Sequence, residues 1–119
     1  MKPKFRFQDL EIWKEAIEIG LVLFDIADRL EHQKLFRFVD QIRGVGMSIS
    51  NNIAESSGAD YVGEERKLLR VSRRECFEGA NILILLERKG LLFAEELDPI
   101  LIRLDILSRR INKYIDSLK

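Results

Sequence analysis

Two apolar files run through residues 9–30 and limit the possible folds more than any other feature of the chain. One holds Leu10, Trp13, Ile17, Leu21 and Phe24. The other holds Ile12, Ala16, Ile19, Leu23, Ile26 and Leu30. Steps of three and four are the helical period, which stacks such residues along one side. At about 100° per residue the two files together cover roughly 200° of the helix surface. A surface helix of a lone bundle needs little more than about 100°. The excess predicts a second protein surface over this helix, and therefore self-association.

The same period recurs in three further segments, and punctuation separates them. We read helices at about 9–30, 34–57, 62–89 and 94–118, one domain over 1–119. Asp9 is the expected N-cap of the first. In the second, Leu35, Phe38, Ile42, Val45, Ile49 and Ile53 form the core row. Gly44 and Gly46 offer close approach to a neighbouring helix, and Gly58 is the expected left-handed stop. The third ends before Gly90. Its stretch 82–86 is apolar all round, as a segment enclosed on every side would be. The arc that carries Arg66, Lys67, Arg70, Arg73 and Arg74 in the first half of this helix carries Phe77 and Ile84 in the second. The fourth has the row Leu97, Leu101, Leu104, Leu107, Ile111, Tyr114 and Leu118, with Ile102 and Ile106 on the other side. Pro99 places its true start near Asp98. No segment alternates with strand period, and the connections are short. The fold class is all-α, an antiparallel up-down-up-down four-helix bundle.

Composition narrows the functions. Hydrophobic residues make up 46% and charged residues 34%, as in a folded globule. No apolar run reaches the ~18 residues of a membrane span, and the opening MKPKFRFQDL lacks an apolar signal core. A lone cysteine, Cys76, allows no internal disulfide. These features point to a cytoplasmic protein without membrane contact. Twenty basic and twenty acidic side chains cancel, which argues against whole-surface binding of nucleic acid.

Chemistry is sparse. The one histidine, His32, falls at the first turn and reads as a solvated loop residue. Cys76 reads as an apolar filler. There is no phosphate-binding glycine loop and no nucleophile elbow. No cofactor or metal is expected. Within MSISNNIAESSG, Ser48, Asn52 and Glu55 stack at i, i+4 and i+7 beside the apolar row. Glu75 falls on the apolar side of the third helix, with Glu78 one turn on. A catalytic trio of Glu55, Glu75 and Glu78, with magnesium, is one reading. The stronger reading is structural: Ser48, Asn52, Glu55 and Glu75 form a polar network that locks helices two and three in register.

A binding face is the remaining candidate. Residues 61–90 carry seven basic and five acidic side chains, the only quarter of the chain with a positive balance. Arg66, Lys67, Arg70, Arg73 and Arg74 share an arc there and are candidate contacts for RNA or DNA phosphates.

Three blocks, in order, also resemble a known family. The opening FQDLEIWKEA matches its aromatic-x-Asp-Leu-x-aliphatic-Trp-x-x-Ala start. Gln41-Ile42-Arg43 matches its Gln-Ile-Arg, and SISNNIAE is similar to its Ser-Ile-Pro-x-Asn-Ile-Ala-Glu signature. Ser50 stands where proline is common, Ser56 where glycine often follows the glutamate, and Ala59 where arginine is frequent. The chain resembles the four-helix-bundle proteins encoded in intervening sequences of bacterial 23S rRNA genes. That resemblance implies a homopentamer with no established catalysis. A related branch, the accessory proteins of diversity-generating retroelements, associates with a reverse transcriptase and nucleic acid, but looks more basic than this chain. The expectation is therefore a non-enzymatic, self-assembling scaffold with an unidentified protein partner. Leu10, Trp13, Ile17, Leu21, Phe24, Phe77 and Ile84 are its candidate oligomer contacts, and nucleic-acid binding by helix three is the alternative.

Overall fold

The helical period is realised almost to the residue. The computed structural model describes all 119 residues and has four helices: α1 Glu11–His32, α2 Phe36–Ser57, α3 Val62–Arg88 and α4 Ala94–Ser117. A short 3₁₀ turn, Arg6–Asp9, precedes them. Cross-chain pairs fix the direction of each helix. Gly20 meets Gly46 across α1 and α2. Ser48 meets Glu75, and Ile49 meets Ser72, across α2 and α3. Arg66 meets Leu118, and Arg73 meets Asn112, across α3 and α4. Glu15 binds Arg103 and Arg29 binds Glu96 across α1 and α4, and Arg43 binds Asp28 as a second pair across α1 and α2. In each pair of helices one number rises as the other falls, so every neighbour is antiparallel, as the short connections require. Contact is extensive along α1–α2, α2–α3 and α3–α4 and sparser between α1 and α4. The body is flat, 45 × 34 × 21 Å.

Helix ends are set by backbone as much as by side chains. After α3, Gly90 at φ 78° is left-handed, and Leu91 N–H reaches the Leu86 carbonyl at 2.9 Å while Gly90 N–H reaches Glu87. These are the two bonds of a Schellman stop. After α1 the same pair forms, Leu35 to Leu30 and Lys34 to Glu31, with Lys34 itself left-handed at φ 61°. Three local expectations need correction. Gly58 has φ −100° and is not a left-handed cap. Asp9 does not cap α1; it lies in the 3₁₀ turn and pairs with Lys4 at 2.8 Å, and Leu10 takes the N-cap position. Pro99 does not start α4, which begins at Ala94. Proline removes one backbone donor near the helix start, on an exposed side where water serves the freed carbonyl.

The core takes the second file of α1 entire: Ile12, Ala16, Ile19, Leu23, Ile26 and Leu30 are all buried. It meets Ile42, Val45, Ile49 and Ile53 of α2, Leu69, Cys76, Leu83 and Leu86 of α3, and Leu97, Leu104, Leu107 and Ile111 of α4. Two glycine contacts set how closely the helices approach. A Cβ on Gly20 would stand 2.7 Å from the Gly46 carbonyl oxygen, and one on Gly79 would stand 2.9 Å from Val45 Cγ1. Of the two α2 glycines, Gly46 makes the close approach, while Gly44 faces open space. Arg43 ties the far end of α1 to α2 through Asp28 at 2.7 Å and Glu31 at 3.0 Å. Its hydrogen bonds hold the Glu31 carboxyl below the usual range.

Candidate assembly surface

The first file of α1 is left over once the core is filled. Leu10 and Trp13 are half-buried against the core, and Phe7 leans on Trp13 with ring centroids 5.2 Å apart. Ile17 and Phe24 are half-buried and Leu21 is 53% exposed. With exposed Met47 of α2 they line a shallow groove of about 110 Å³ over Gly20 and Gly46. The glycine contact makes that groove, because two helices without side chains at their crossing leave a furrow between the flanking residues.

A second apolar surface lies between α3 and α4. Phe77, Ala80, Ile84 and Leu101 line a groove of about 240 Å³ there, with Asp105 and Ser108 at its side. Phe77 is 60% exposed, and Ile84, Leu85, Ile102 and Ile106 are exposed as well. The expected enclosure of residues 82–86 is therefore incomplete: Ile82, Leu83 and Leu86 are buried, whereas Ile84 and Leu85 are open. A four-helix layer can bury about one side of each helix and no more. The α1–α2 groove and the α3–α4 groove are thus two separate apolar surfaces, built on different pairs of helices and sharing no residue.

Between the faces, α2 and α3 are joined by a polar clasp. Ser48 Oγ donates to Glu75 Oε1 at 3.0 Å, and Asn52 Nδ2 donates to the Ser48 carbonyl at 2.8 Å and to Ser48 Oγ at 3.1 Å. Fully buried Ser72 donates to the Ile49 carbonyl at 2.8 Å. Ser72 is the member that sequence reasoning missed; a serine in an otherwise apolar file was its only signal. Glu55 does not join. It is exposed and about 10 Å further along α2 than Ser48 at 1.5 Å per residue, beyond the reach of Glu75. The trio of Glu55, Glu75 and Glu78 therefore does not assemble, and no three acidic, histidine or cysteine side chains are grouped to hold a metal ion.

Glu75 keeps one oxygen, Oε2, buried without a protein partner. Its carboxyl neighbour Glu78 titrates above the ordinary range, because a proton on Glu78 can be shared toward the Glu75 carboxylate, and partial desolvation and the Glu75 charge also favour the neutral form. The folded pair thus holds a proton that the unfolded chain releases. Stability from this pair is present at low pH and falls as pH rises through the folded value. Glu78→Gln should flatten that decline, raising the melting temperature more at about pH 7 than at about pH 4; melts at the two pH values check it. Cys76, next along α3, is buried. Desolvation, then the Glu75 charge, push its thiol up to about 12. It should resist a disulfide reagent near pH 8 in the native protein and react at once in denaturant.

The basic arc divides in two. Arg66 Nη2 donates to the Leu118 carbonyl at 2.7 Å, satisfying a carbonyl just past the end of α4. Arg73 Nη1 donates to Asn112 Oδ1 at 3.0 Å. These two, seven residues apart, turn toward α4 instead of solvent. Lys67, Arg70 and Arg74 are exposed at i, i+3 and i+7, one stripe along α3.

The geometry defines a class: an antiparallel four-helix bundle with one apolar groove between α1 and α2 and another between α3 and α4. The chain belongs to the 23S rRNA-intervening sequence protein family, whose model matches residues 8–113. It is similar to a crystallised protein of unknown function from the S23 ribosomal protein family of Bacteroides thetaiotaomicron VPI-5482. The TM-score is 0.84 at 22% identity, over 89% of this chain and 99% of that one. At that identity the likeness carries the fold alone. No curated protein matches the chain. No helix is long and apolar enough to cross a membrane.

Proposed function

We propose that this protein is a non-enzymatic cytoplasmic scaffold whose copies join face to face, the α1–α2 groove of one against the α3–α4 surface of the next. The observation that carries the reading is the pair of unlike apolar grooves on different helix pairs of one bundle, each leaving large apolar side chains open. Were each face to pair with itself, two separate isologous contacts would be needed, and the assembly would grow as a chain. Joining unlike faces is a heterologous contact, which closes into a ring when its rotation allows. A ring covers both faces of every copy, and the family resemblance favours five subunits. Ile17, Leu21 and Phe24 of the first face would meet Phe77 and Ile84 of the second, while Leu10 and Trp13, half-buried on their own core, lie outside that groove. Light scattering on the purified protein tests this: one species near five subunits is expected, and a monodisperse monomer at micromolar concentration would overturn it.

A second reading rests on the stripe of Lys67, Arg70 and Arg74, none of which has an acidic partner within ion-pair distance. A ring would repeat the stripe and add weak phosphate contacts through multivalency. Binding that weakens with salt and with Arg70→Glu supports it; no binding at low salt removes it.

A further inference from the structure

The segment before α1 is an exposed surface that neither the assembly reading nor the α3 stripe uses, and it is organised. Phe5 stacks on Phe7 with centroids 5.5 Å apart and planes 15° from parallel, and Phe7 in turn leans on Trp13. The stack is held by a turn that Gln8 closes: Phe5 N–H donates to the Gln8 side-chain Oε1 at 2.8 Å, and Gln8 N–H returns to the Phe5 carbonyl at 3.1 Å. Phe5 is nonetheless 61% exposed. A large apolar ring fixed in place with an open face is a platform, not a core residue. Beside it lies a recess of about 430 Å³ lined by Lys2, Pro3, Phe5, Phe7, Gln8 and Trp13. Cations alternate with the rings: Lys2, Lys4 and Arg6, with no acidic residue before Asp9. Lys4 pairs with Asp9 across an exposed contact, which exchanges readily for other anions, and Arg6, itself exposed, reaches the half-buried Glu65 only at 3.6 Å.

We propose that this recess binds single-stranded nucleic acid, a base stacking on Phe5 and Trp13 while Lys2, with Lys4 and Arg6, meets the flanking phosphates. Charge complementarity selects the occupant. A second copy of this surface would bring like charges together, whereas a strand supplies a flat ring and a phosphate in alternation. Stacking on aromatic rings tolerates any base and requires it to be unpaired, so a duplex does not fit. The site is independent of the assembly reading, since all its residues lie in one copy.

Trp13 is the only tryptophan, so its fluorescence reports the site directly. The full chain is titrated with a short oligothymidylate at low salt, with the matching duplex and thymidine monophosphate as separate arms. The strand should quench Trp13 saturably, and the duplex and the mononucleotide should do so at least about tenfold more weakly. Phe5→Ala, at an exposed position, should keep the wild-type melting temperature and bind about tenfold more weakly. Lys67→Glu with Arg70→Glu should leave the quenching in place. Absence of quenching by the strand, equal quenching by duplex or mononucleotide, unchanged affinity in Phe5→Ala, or loss of quenching in the α3 variant would each overturn the proposal.

Discussion

Gly20→Ala will lower the melting temperature, although alanine is the better helix former. Propensity alone favours alanine by about 1 kcal/mol in a helix interior. The new methyl would stand 2.7 Å from the Gly46 carbonyl oxygen, a backbone atom with no rotamer to escape into. Either α1 and α2 move apart along the crossing or the helix deforms. Forcing extra atoms into a packed contact costs about 1–3 kcal/mol, and here the separation would also loosen Leu23 and Ile49, both buried in the core. The net loss should be about 1–2 kcal/mol, or several degrees for a domain of this size. Gly44→Ala is the matched control. It sits on the same pair of helices, but its methyl would meet nothing within 4 Å. It should gain up to about 1 kcal/mol from propensity and reduced unfolded-state entropy. Urea or thermal unfolding of the two variants gives opposite signs if the crossing is as described. The same sign for both would show that Gly20 does not hold the helices together.

That contrast also shows where sequence stops being sufficient. Gly44 and Gly46 are two residues apart and indistinguishable by composition; only the rotation of α2 against α1 decides which one faces a neighbour. Both files of α1 are apolar and period alone did not say which of them the core would take, whereas the four helices and their direction follow from period and punctuation. The Ser48–Asn52–Glu75 clasp was likewise legible, since its spacing sets those groups beside the seam. Glu55 has the same angular position as Ser48 but fails on distance along the axis, which period alone does not weigh. Arg66 and Arg73 share an arc with Lys67, Arg70 and Arg74, yet α4 lies close enough to capture only the first two. Angular position predicted the side of the helix, and the neighbour chose among the residues there. The stacked Phe5 and Phe7 were invisible to period, since they lie outside any helix and depend on a turn closed by Gln8.

Leu21→Arg and Ile84→Arg should each abolish assembly while leaving the single bundle folded. Both positions are exposed within one copy, at 53% and 37%, so charge there is solvated in the monomer, and surface changes of this kind usually alter stability by within about 0.5 kcal/mol. In the joined form each arginine would be buried against an apolar groove, where Asp105 beside the α3–α4 groove is already paired with Arg109 at 3.2 Å, and an unpaired buried charge costs several kcal/mol per contact at every junction of a ring. The two variants separate the modes of joining. A Leu21→Arg chain keeps a good α3–α4 face, and an Ile84→Arg chain keeps a good α1–α2 face. Mixed one to one, they can form a single unlike junction and no second, so light scattering should report a heterodimer from two monomeric stocks. If like faces pair instead, each variant alone will dimerise through its intact face, and mixing will change nothing. A dimer from either variant by itself would therefore exclude the unlike-face contact even if the wild-type protein is a large oligomer. The heterodimer would establish that contact without any assumption about how many copies close the ring.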